Sequence, residues 1–312
     1  AQAILAQGLG LAPTAPRSLR ALPAGALAML RLASAASPSL PFGRRCINAV
    51  AQEGFQDTNS YDSGRPGYSA GTLEQVSARL RRLADARGRP ASAVEVGAGT
   101  GKFTRPFLDC YPALAPAYTA VEPIRAMREV LQAKCGGEVR VLEGAADQLP
   151  LPDGVADAVI AAQAFHWFAN LESLIGMHRV LRPGGSLCLV WNTFDLRQEW
   201  LAQLEALRNT YYPEDVPRFV TGAWRRVFER PEAQRLFVGP EEWLGVHVQL
   251  CSREQVVDRI ISSSAIAKLP QAQREGVAKQ VLDVLNASPD TAGKTQLEVP
   301  YSSHVYVFTK QE

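Results

Sequence analysis

Cysteine and histidine are scarce in this sequence, and none of them is spaced like the ligands of a metal ion. The five cysteines form no C-x-x-C pair, and the four histidines form no H-x-x-x-H or H-E-x-x-H pattern. These absences argue against a zinc site and against a disulfide framework of the kind that stabilises small secreted domains. We therefore expect reduced thiols, no bound metal and an intracellular protein.

Long apolar runs and internal repeats are also missing. The apolar stretch over residues 21–36 is interrupted by Arg31 and is too short to span a bilayer, so the sequence predicts no membrane anchor. With 46% hydrophobic and 21% charged residues, the composition is typical of a globular protein. A length of 312 residues allows one sizeable α/β core with an insertion.

Acidic residues are absent from the first part of the chain. Residues 1–52 contain five arginines and no Asp or Glu, a composition typical of an organelle transit peptide. A disordered extension is the other interpretation of residues 1–46, so the protein is expected in the cytoplasm or, with a transit peptide, in mitochondria or plastids. Without those five arginines, 28 basic residues remain against 31 acidic ones. The remainder is slightly acidic and lacks the basic stripe of a nucleic-acid-binding protein.

The most informative segment is a glycine-rich turn that follows a short apolar strand. Residues 93–96 read as the strand, and Gly97, Gly99 and Gly101 alternate through the turn that leads into a helix. Glu122 ends the next predicted strand roughly 20 residues downstream, where a carboxylate can accept hydrogen bonds from the ribose hydroxyls of a nucleotide-like ligand. In an open α/β sheet, such a ligand binds at the carboxyl ends of the strands.

Two cofactor classes share this geometry and differ in the glycine register. Dinucleotide enzymes use G-x-G-x-x-G and place a pyrophosphate on the helix N-terminus. Here the register is Glu95-x-Gly97-x-Gly99-x-Gly101, and Lys102 stands where the dinucleotide pattern has its last glycine. An acid at Glu95 suits a ligand with an ammonium group better than it suits a phosphate. A nicotinamide-dependent oxidoreductase is therefore the less favoured alternative.

The register Glu95-x-Gly97-x-Gly99-x-Gly101 resembles motif I of the class I S-adenosylmethionine-dependent methyltransferases. The resemblance implies an α/β fold with a Rossmann-like, seven-stranded, mostly parallel sheet and S-adenosylmethionine as the cofactor. It places the cofactor-binding core at residues 47–195, a helical cap or substrate insertion at 196–292, and terminal strands that complete the sheet at 293–312. It also implies that the motif I residues and Glu122 bind the cofactor.

Further segments extend this resemblance. Residues 144–150 are similar to the family's G-x-A-E-x-L-P segment, which implies that Ala146 and Asp147 lie against the adenine ring. Relatives often carry an acid at the position of Ala145. The L-x-P-G-G turn at residues 181–185 is a second family feature with a structural role.

Two other segments look like a subgroup near the trans-aconitate-type small-molecule methyltransferases. They are residues 61–68, with the sequence YDSGRPGY, and residues 164–168, with the sequence AFHWF. Tyr61 and Arg65 are expected either to close over the methionine end of the cofactor or to anchor the first helix. Gln163 is expected at the cofactor, since it follows a buried strand at its carboxyl end.

His166 is the candidate proton acceptor, because a protonated hydroxyl, amine or thiol acceptor must lose its proton during methylation. A packing or orienting role is the commoner one for a histidine among aromatic residues. A carboxylate acceptor would need no base. The aromatic residues of the insertion are interpreted mainly as its own core, and together they favour a small apolar or planar acceptor.

The resemblance as a whole implies an enzyme that methylates a small molecule on a carboxylate, hydroxyl or amine. Methylation of a protein or nucleic acid is an alternative that the slightly acidic composition disfavours. The alternative from another class of protein is a non-catalytic binding or assembly factor that retains the methyltransferase fold. Neither nucleic acid nor a membrane is an expected partner, and the sequence does not predict the oligomeric state.

Overall fold

The computed structural model describes residues 64–312. The predicted transit peptide or extension over residues 1–46 and the candidate residue Tyr61 lie outside the described residues. Helices are α1 (Ala70–Arg87), α2 (Thr104–Cys110), α3 (Arg125–Cys135), α4 (Leu171–Val180), α5 (Glu199–Asn209), α6 (Pro231–Leu236), α7 (Arg253–Ile261), α8 (Ser264–Ala267) and α9 (Gln271–Ala287). Strands are β1 (Ala93–Val96), β2 (Tyr118–Val121), β3 (Arg140–Leu142), β4 (Ala156–Ala162), β5 (Leu181–Phe194), β6 (Phe237–Ser252) and β7 (Gln296–Lys310).

The strands form one sheet of seven in the order β3-β2-β1-β4-β5-β7-β6. Strands β1 to β5 pair in parallel, and β7 pairs antiparallel with both β5 and β6. The predicted seven-stranded, mostly parallel sheet is therefore confirmed. The strand order reverses between β1 and β4, so a crevice opens at the carboxyl ends of these two strands, where open α/β sheets bind ligands.

Helices cover both faces of the sheet, because its central strands are apolar on both sides. All seven residues of β4 are buried, as expected for a parallel strand between two layers of helices. Successive residues point to opposite faces, so Val159 contributes to one core cluster and Ile160 to another. The first cluster includes the fully buried Trp191, and the second includes Phe107 beneath α1.

The region 196–292, predicted as a helical insertion, differs from that prediction because it also supplies the edge strand β6. Its sequence alternates between half-buried residues such as Trp243 and Gly245 and exposed residues such as Leu244 and Val246. This period of two is typical of an edge strand with one face in contact with the protein. The terminal region 293–312 then supplies one strand, β7, which lies between β5 and β6.

The helical part of the insertion has a core of its own. Helices α5, α7 and α9 pack Trp200, Ile260 and Val281 into a third cluster against the ends of β5 and β7. This cluster places α5, α7 and α8 beside the crevice at the carboxyl ends of the parallel strands. Across residues 64–312, no helix combines the length and the apolar character that crossing a membrane requires.

Candidate active site

The turn after β1 has a backbone that only glycine adopts readily. Gly97, Gly99 and Gly101 have φ angles of 72°, 59° and 80°. A Cβ atom on Gly97 would lie 2.7 Å from the Cβ atom of Ala164, and one on Gly101 would lie 2.9 Å from Cδ1 of Leu131. The turn therefore needs glycine both for its conformation and for close packing. At Gly99 the nearest atom to such a Cβ is 3.9 Å away, so this glycine borders open space.

Glu122 fixes the glycine turn from the end of β2. Its side chain is 4% exposed, its Oε2 accepts a hydrogen bond from the Gly99 backbone N–H at 2.8 Å, and its Oε1 accepts one from the Ile124 N–H at 2.8 Å. Burial raises the pKa of Glu122 to about 7, although both N–H groups oppose the shift. Each carboxylate oxygen has a second lone pair, so the group can still accept hydrogen bonds from a ligand.

Glu95, on β1, is a second buried carboxyl beside the same turn. Its Oε2 accepts hydrogen bonds from the Thr104 hydroxyl and the Tyr118 hydroxyl, each at 2.7 Å. Burial raises the pKa of Glu95 to about 7, and the charge of Glu122 adds to the increase. Two buried carboxyls that raise each other's cost of ionisation favour a ligand that carries positive charge.

These residues line a cavity at the carboxyl ends of β1, β2 and β4, which we call the cofactor cavity. The predicted residues that line it are Arg65, Glu95, Gly97, Gly99, Glu122, Ala146 and Gln163. Gly101 does not line it, because the third glycine packs against Leu131 and Cys135 behind the turn. Asp147 does not line the cavity either, although Ala145 and Ala146, which precede it in the sequence, do. Contact of Asp147 with the adenine ring remains a prediction.

The sequence argument missed the apolar wall of this cavity. Ile124, Met127, Trp167 and Phe168 line it, and the first two pack against Trp167. Ile124 is the N-cap residue of α3 and Met127 lies in the first turn of that helix, two and five residues after Glu122. Apolar residues so soon after the carboxylate that ends β2 are a signal in the sequence that could have identified them.

Gln163 holds an unusual backbone conformation at the end of β4. Its φ angle is 57°, the only positive value of a non-glycine residue among residues 64–312. Its backbone N–H donates to the Val190 carbonyl at 2.7 Å, and its Nε2 donates to the Asn192 carbonyl at 2.8 Å. Two hydrogen bonds to β5 therefore stabilise a conformation that is costly by itself, as is common at ligand sites.

His166 is fixed as a neutral hydrogen-bond donor. Its Nδ1 lies 3.1 Å from Nε1 of Trp191, and an indole nitrogen can only donate, so Nδ1 accepts and the ring proton is on Nε2. Burial, together with the charge of Arg65, lowers the pKa of His166 to about 3. The lone pair that a base requires is therefore engaged. Proton abstraction by His166 remains a prediction that this geometry disfavours.

A second cavity, which we call the arginine cavity, adjoins the cofactor cavity. The two share Arg65, Gln163 and Trp167. The other residues lining the arginine cavity are His166, Asn192, Thr193, Arg208, Tyr212, Pro217, Arg218, Phe219, Val220, Arg259 and Ser264. Four of the lining residues are arginines and none is Asp or Glu. Within the described part of the chain, no group of three His, Cys, Asp or Glu side chains could hold a metal ion.

Comparison with known proteins agrees with this geometry. A family model described as a methyltransferase domain matches residues 94–189. The chain is 29% identical to the uncharacterized methyltransferase-like protein C25B8.10 of Schizosaccharomyces pombe, over 82% of this chain and 94% of that protein. It is 30% identical to the uncharacterized methyltransferase Mb3374 of Mycobacterium bovis, over 78% of this chain and 89% of that protein.

The fold also matches solved structures. The structure named "Putative Type II Methyltransferase" from Anaeromyxobacter dehalogenans aligns with a TM-score of 0.51 at 19% identity, over 79% of this chain and 97% of that chain. At this identity the match concerns the fold alone. The family match, the relatives and the sheet order agree, and the chain belongs to the class I methyltransferase family, whose members normally use S-adenosylmethionine.

Proposed function

We propose that the protein transfers a methyl group from S-adenosylmethionine to a small-molecule acceptor. The observation that carries this proposal is the pair of buried carboxyls, Glu95 and Glu122, on either side of a glycine turn at the sheet crevice. A dinucleotide site would place the phosphates at this turn, where two carboxylates would repel them. A ligand with an ammonium group and ribose hydroxyls meets complementary groups here.

The side chains that line the cofactor cavity have the chemical character that the groups of S-adenosylmethionine require. Glu122 would accept hydrogen bonds from the ribose hydroxyls, and Ala145 and Ala146 leave room for a flat ring because their side chains are small. Ile124 and Met127 supply the apolar wall. When bound, the cofactor supplies a methyl group already activated on a sulfonium, so the protein has to position the reactants and exclude water.

The acceptor would enter through the arginine cavity, because this cavity meets the cofactor cavity at Gln163 and Trp167. The group that accepts the methyl would be a carboxylate, a hydroxyl or an amine of a small molecule. We also propose the finer resemblance to the trans-aconitate-type subgroup, which rests on the sequences of residues 61–68 and 164–168.

Calorimetric titration of the full chain with S-adenosylmethionine, and separately with NADH, tests the proposal. We expect saturable binding of S-adenosylmethionine alone. Glu122→Gln is expected to weaken this binding by roughly tenfold or more, because an amide group turns one N–H donor toward the Gly99 or Ile124 N–H. Glu129→Gln is the matched control, since Glu129 is an exposed residue of α3 paired with Arg125.

Binding of NADH in place of S-adenosylmethionine would contradict the proposal. Absence of binding by either ligand would favour a non-catalytic factor that keeps the fold. Binding of S-adenosylmethionine that Glu122→Gln leaves unchanged would contradict the assignment of the ribose contact to Glu122.

A further inference from the structure

One face of the edge strand β6 carries a row of exposed aliphatic side chains. Leu244, Val246, Val248 and Leu250 are 64%, 54%, 57% and 66% exposed, and we call these four residues the β6 stripe. Within the described part of the chain, β6 ends the sheet and pairs with β7 alone, so the backbone groups along its outer edge have no strand partner. An aliphatic surface and an open strand edge therefore lie side by side.

Most of β6 lacks the features that keep an edge strand from pairing with another chain. Such features are charged residues, proline and bulges. In β6, Pro240 and a register shift between Val238 and Glu241 protect the first part of the strand. Residues 243–251 contain no Asp, Glu, Lys, Arg or Pro. An edge of this length with aliphatic side chains in water favours association with a further strand.

The β6 stripe reads the same in both directions along the strand. Its order is Leu-Val-Val-Leu, and His247 lies at its centre. If β6 pairs with an antiparallel copy of itself about a two-fold axis at His247, Leu244 lies opposite Leu250 and Val246 lies opposite Val248. Residues directly opposite each other in a ladder share a face of the sheet, so every aliphatic side chain of the stripe meets another one.

The residues at the two ends of the β6 stripe select this register. A shift by two residues would place Leu250 opposite Glu242, or Leu244 opposite Ser252, so other registers lose an aliphatic pair. Charge acts in the same direction. Glu241 and Glu242 each pair with an arginine of their own copy and stay 63% and 54% exposed. Arg253 directly follows the other end of the strand and donates to two backbone carbonyls and an asparagine side chain.

Pairing about His247 places the acidic end of one copy beside Arg253 of the other copy, because 241 and 253 are equally far from 247 in the sequence. The two-fold axis repeats this contact at both ends of the ladder. Opposite charges at the ends and aliphatic side chains between them make β6 complementary to itself, which an interface between identical chains requires.

The size of this contact is that of a dimer in equilibrium with its monomer. Four aliphatic residues that are each more than half exposed form a patch of roughly 400 Å², so two copies can bury up to about 800 Å² of it. The ladder and the charged ends add to this area. Stable interfaces bury about 1,200 to 2,000 Å² in total, so we expect a dimer that dissociates on dilution.

We propose that the protein forms a two-fold symmetric dimer in which β6 pairs antiparallel with β6 of a second copy about His247, so that one sheet runs through both copies. A second copy is the occupant that the pattern favours, because a different partner would not require a stripe that is symmetric about its centre. No residue that lines the cofactor cavity or the arginine cavity lies on β6. The dimer is therefore independent of the proposed methyl transfer.

Analytical ultracentrifugation of the full chain measures the dimer. From about 1 μM to about 200 μM, the average mass of the wild type should rise from that of one chain toward that of two. Val246→Lys should raise the dissociation constant of the dimer by roughly 10- to 100-fold, because the symmetry replaces both Val246–Val248 contacts at once. Ile175→Lys is the matched control, since Ile175 is a 50% exposed aliphatic residue of α4, and it should leave the dimer unchanged.

A mixture of two variants tests the register. Val246→Lys and Val248→Glu should each weaken the dimer alone. An equimolar mixture of the two should recover it, because the introduced lysine of one copy then lies opposite the introduced glutamate of the other. Val238→Glu is the control, since Val238 is a 57% exposed valine of β6 outside the paired region, and its mixture with Val246→Lys should not recover the dimer.

Amide hydrogen exchange tests the ladder between the two copies. At concentrations where the wild type is dimeric, exchange over residues 242–252 should be slower in the wild type than in Val246→Lys, because the outward N–H groups of β6 are hydrogen-bonded in the dimer. Equal exchange over β4 in the two proteins shows that the variant is folded. If Val246→Lys does not fold, Val248→Lys is measured in its place and should weaken the dimer in the same way.

A wild type that stays monomeric over the whole series overturns the dimer, and slow exchange of β6 in such a monomer would assign the cover to residues 1–63 of the same chain. A dimer that Val246→Lys leaves unchanged forms at another surface and also overturns the proposal. Failure of the mixture to recover the dimer overturns the pairing about His247, and so does exchange of β6 that is equal in the wild-type dimer and in Val246→Lys. Each of these results leaves the proposed methyl transfer standing.

Discussion

The raised pKa values of Glu95 and Glu122 predict a specific pH dependence of stability. Each of these carboxyls has a pKa of about 7 in the folded protein, against the ordinary value of 4.5 that applies to the unfolded chain. Between pH 4.5 and about pH 7, the folded protein therefore binds more protons than the unfolded chain does. Acidification from about pH 7.5 to about pH 5.5 should therefore stabilise the fold through each of these groups, and the benefit is lost as the pH rises through 7.

The size of the effect follows from the two pKa values. On acidification over that pH interval, each buried carboxyl increases the free energy of unfolding of the protein by about 2 kcal/mol. The reason is that a shift of one pKa unit corresponds to roughly 1.4 kcal/mol once the group titrates fully. Buried histidines oppose this trend, because His166 stays neutral when folded and takes up a proton when unfolded. The pH dependence of the free energy of unfolding of the wild type therefore contains both contributions. The difference between the wild type and Glu122→Gln cancels the histidines, which are common to both proteins, and leaves the titration of Glu122 together with its smaller effect on Glu95.

Urea denaturation of the ligand-free full chain at the two pH values measures this difference. The free energy of unfolding of the wild type should increase by about 2 kcal/mol more than that of Glu122→Gln on acidification. Parallel changes in the two proteins would show that Glu122 is ionised in the folded state at neutral pH, and would refute the reasoning from burial. Glu129→Gln is again the control and should behave as the wild type does.

Three further predictions concern single residues. Gly97→Ala should lower the free energy of unfolding, measured by urea denaturation, by about 2 kcal/mol or more. The backbone φ angle at residue 97 is 72°, and the added Cβ atom would lie 2.7 Å from the Cβ atom of Ala164. An unchanged denaturation midpoint would contradict this prediction. Asp157→Asn should lower the free energy of unfolding by about 3 kcal/mol in the same assay. The reason is that this fully buried carboxylate pairs with three arginines at 2.8 to 3.2 Å. A decrease below about 1 kcal/mol would show that these ion pairs contribute little to stability. Trp191→Phe should remove the donor to Nδ1 of His166 and raise the pKa of His166, as measured by NMR of the ring nitrogens; an unchanged tautomer and pKa would show that another group fixes the ring.

The sequence was sufficient for the parts of the site that depend on local patterns. The glycine turn, Glu95 and Glu122 follow from spacing along the chain, because a strand, a turn and a helix in succession leave few ways to place them. The number of strands and the mostly parallel character of the sheet also followed from the family resemblance. These features are set by residues close in sequence or by a topology that many chains share.

The arginine cavity did not follow from the sequence, because its residues come from distant segments. Arg65, Arg208, Arg218 and Arg259 share no motif, and they meet only when the insertion folds against the sheet. One signal was available: Arg259 falls between Val256 and Ile260 on the buried stripe of α7. An arginine on an apolar helix face is unusual and could have been singled out.

Strand β6 was missed for a related reason. Its alternation of half-buried and exposed residues has a period of two, but its exposed positions include Leu244 and Val246, which are apolar. Polar residues at those positions would have made the strand pattern clear. The pairing of β6 with β7 over the length of both strands decides the structure of this segment.

The place of β7 in the sheet has a consequence for how the protein is made. The strand synthesised last of the seven is not at an edge, because it lies between β5 and β6 and pairs with both. During translation, β5 and β6 therefore each present an unpaired edge until residues 296–310 emerge. A ribosome that stalls or a transcript that ends before this point releases a chain in which the edges of β5 and β6 that β7 covers are open, which makes it a substrate for chaperones or for aggregation.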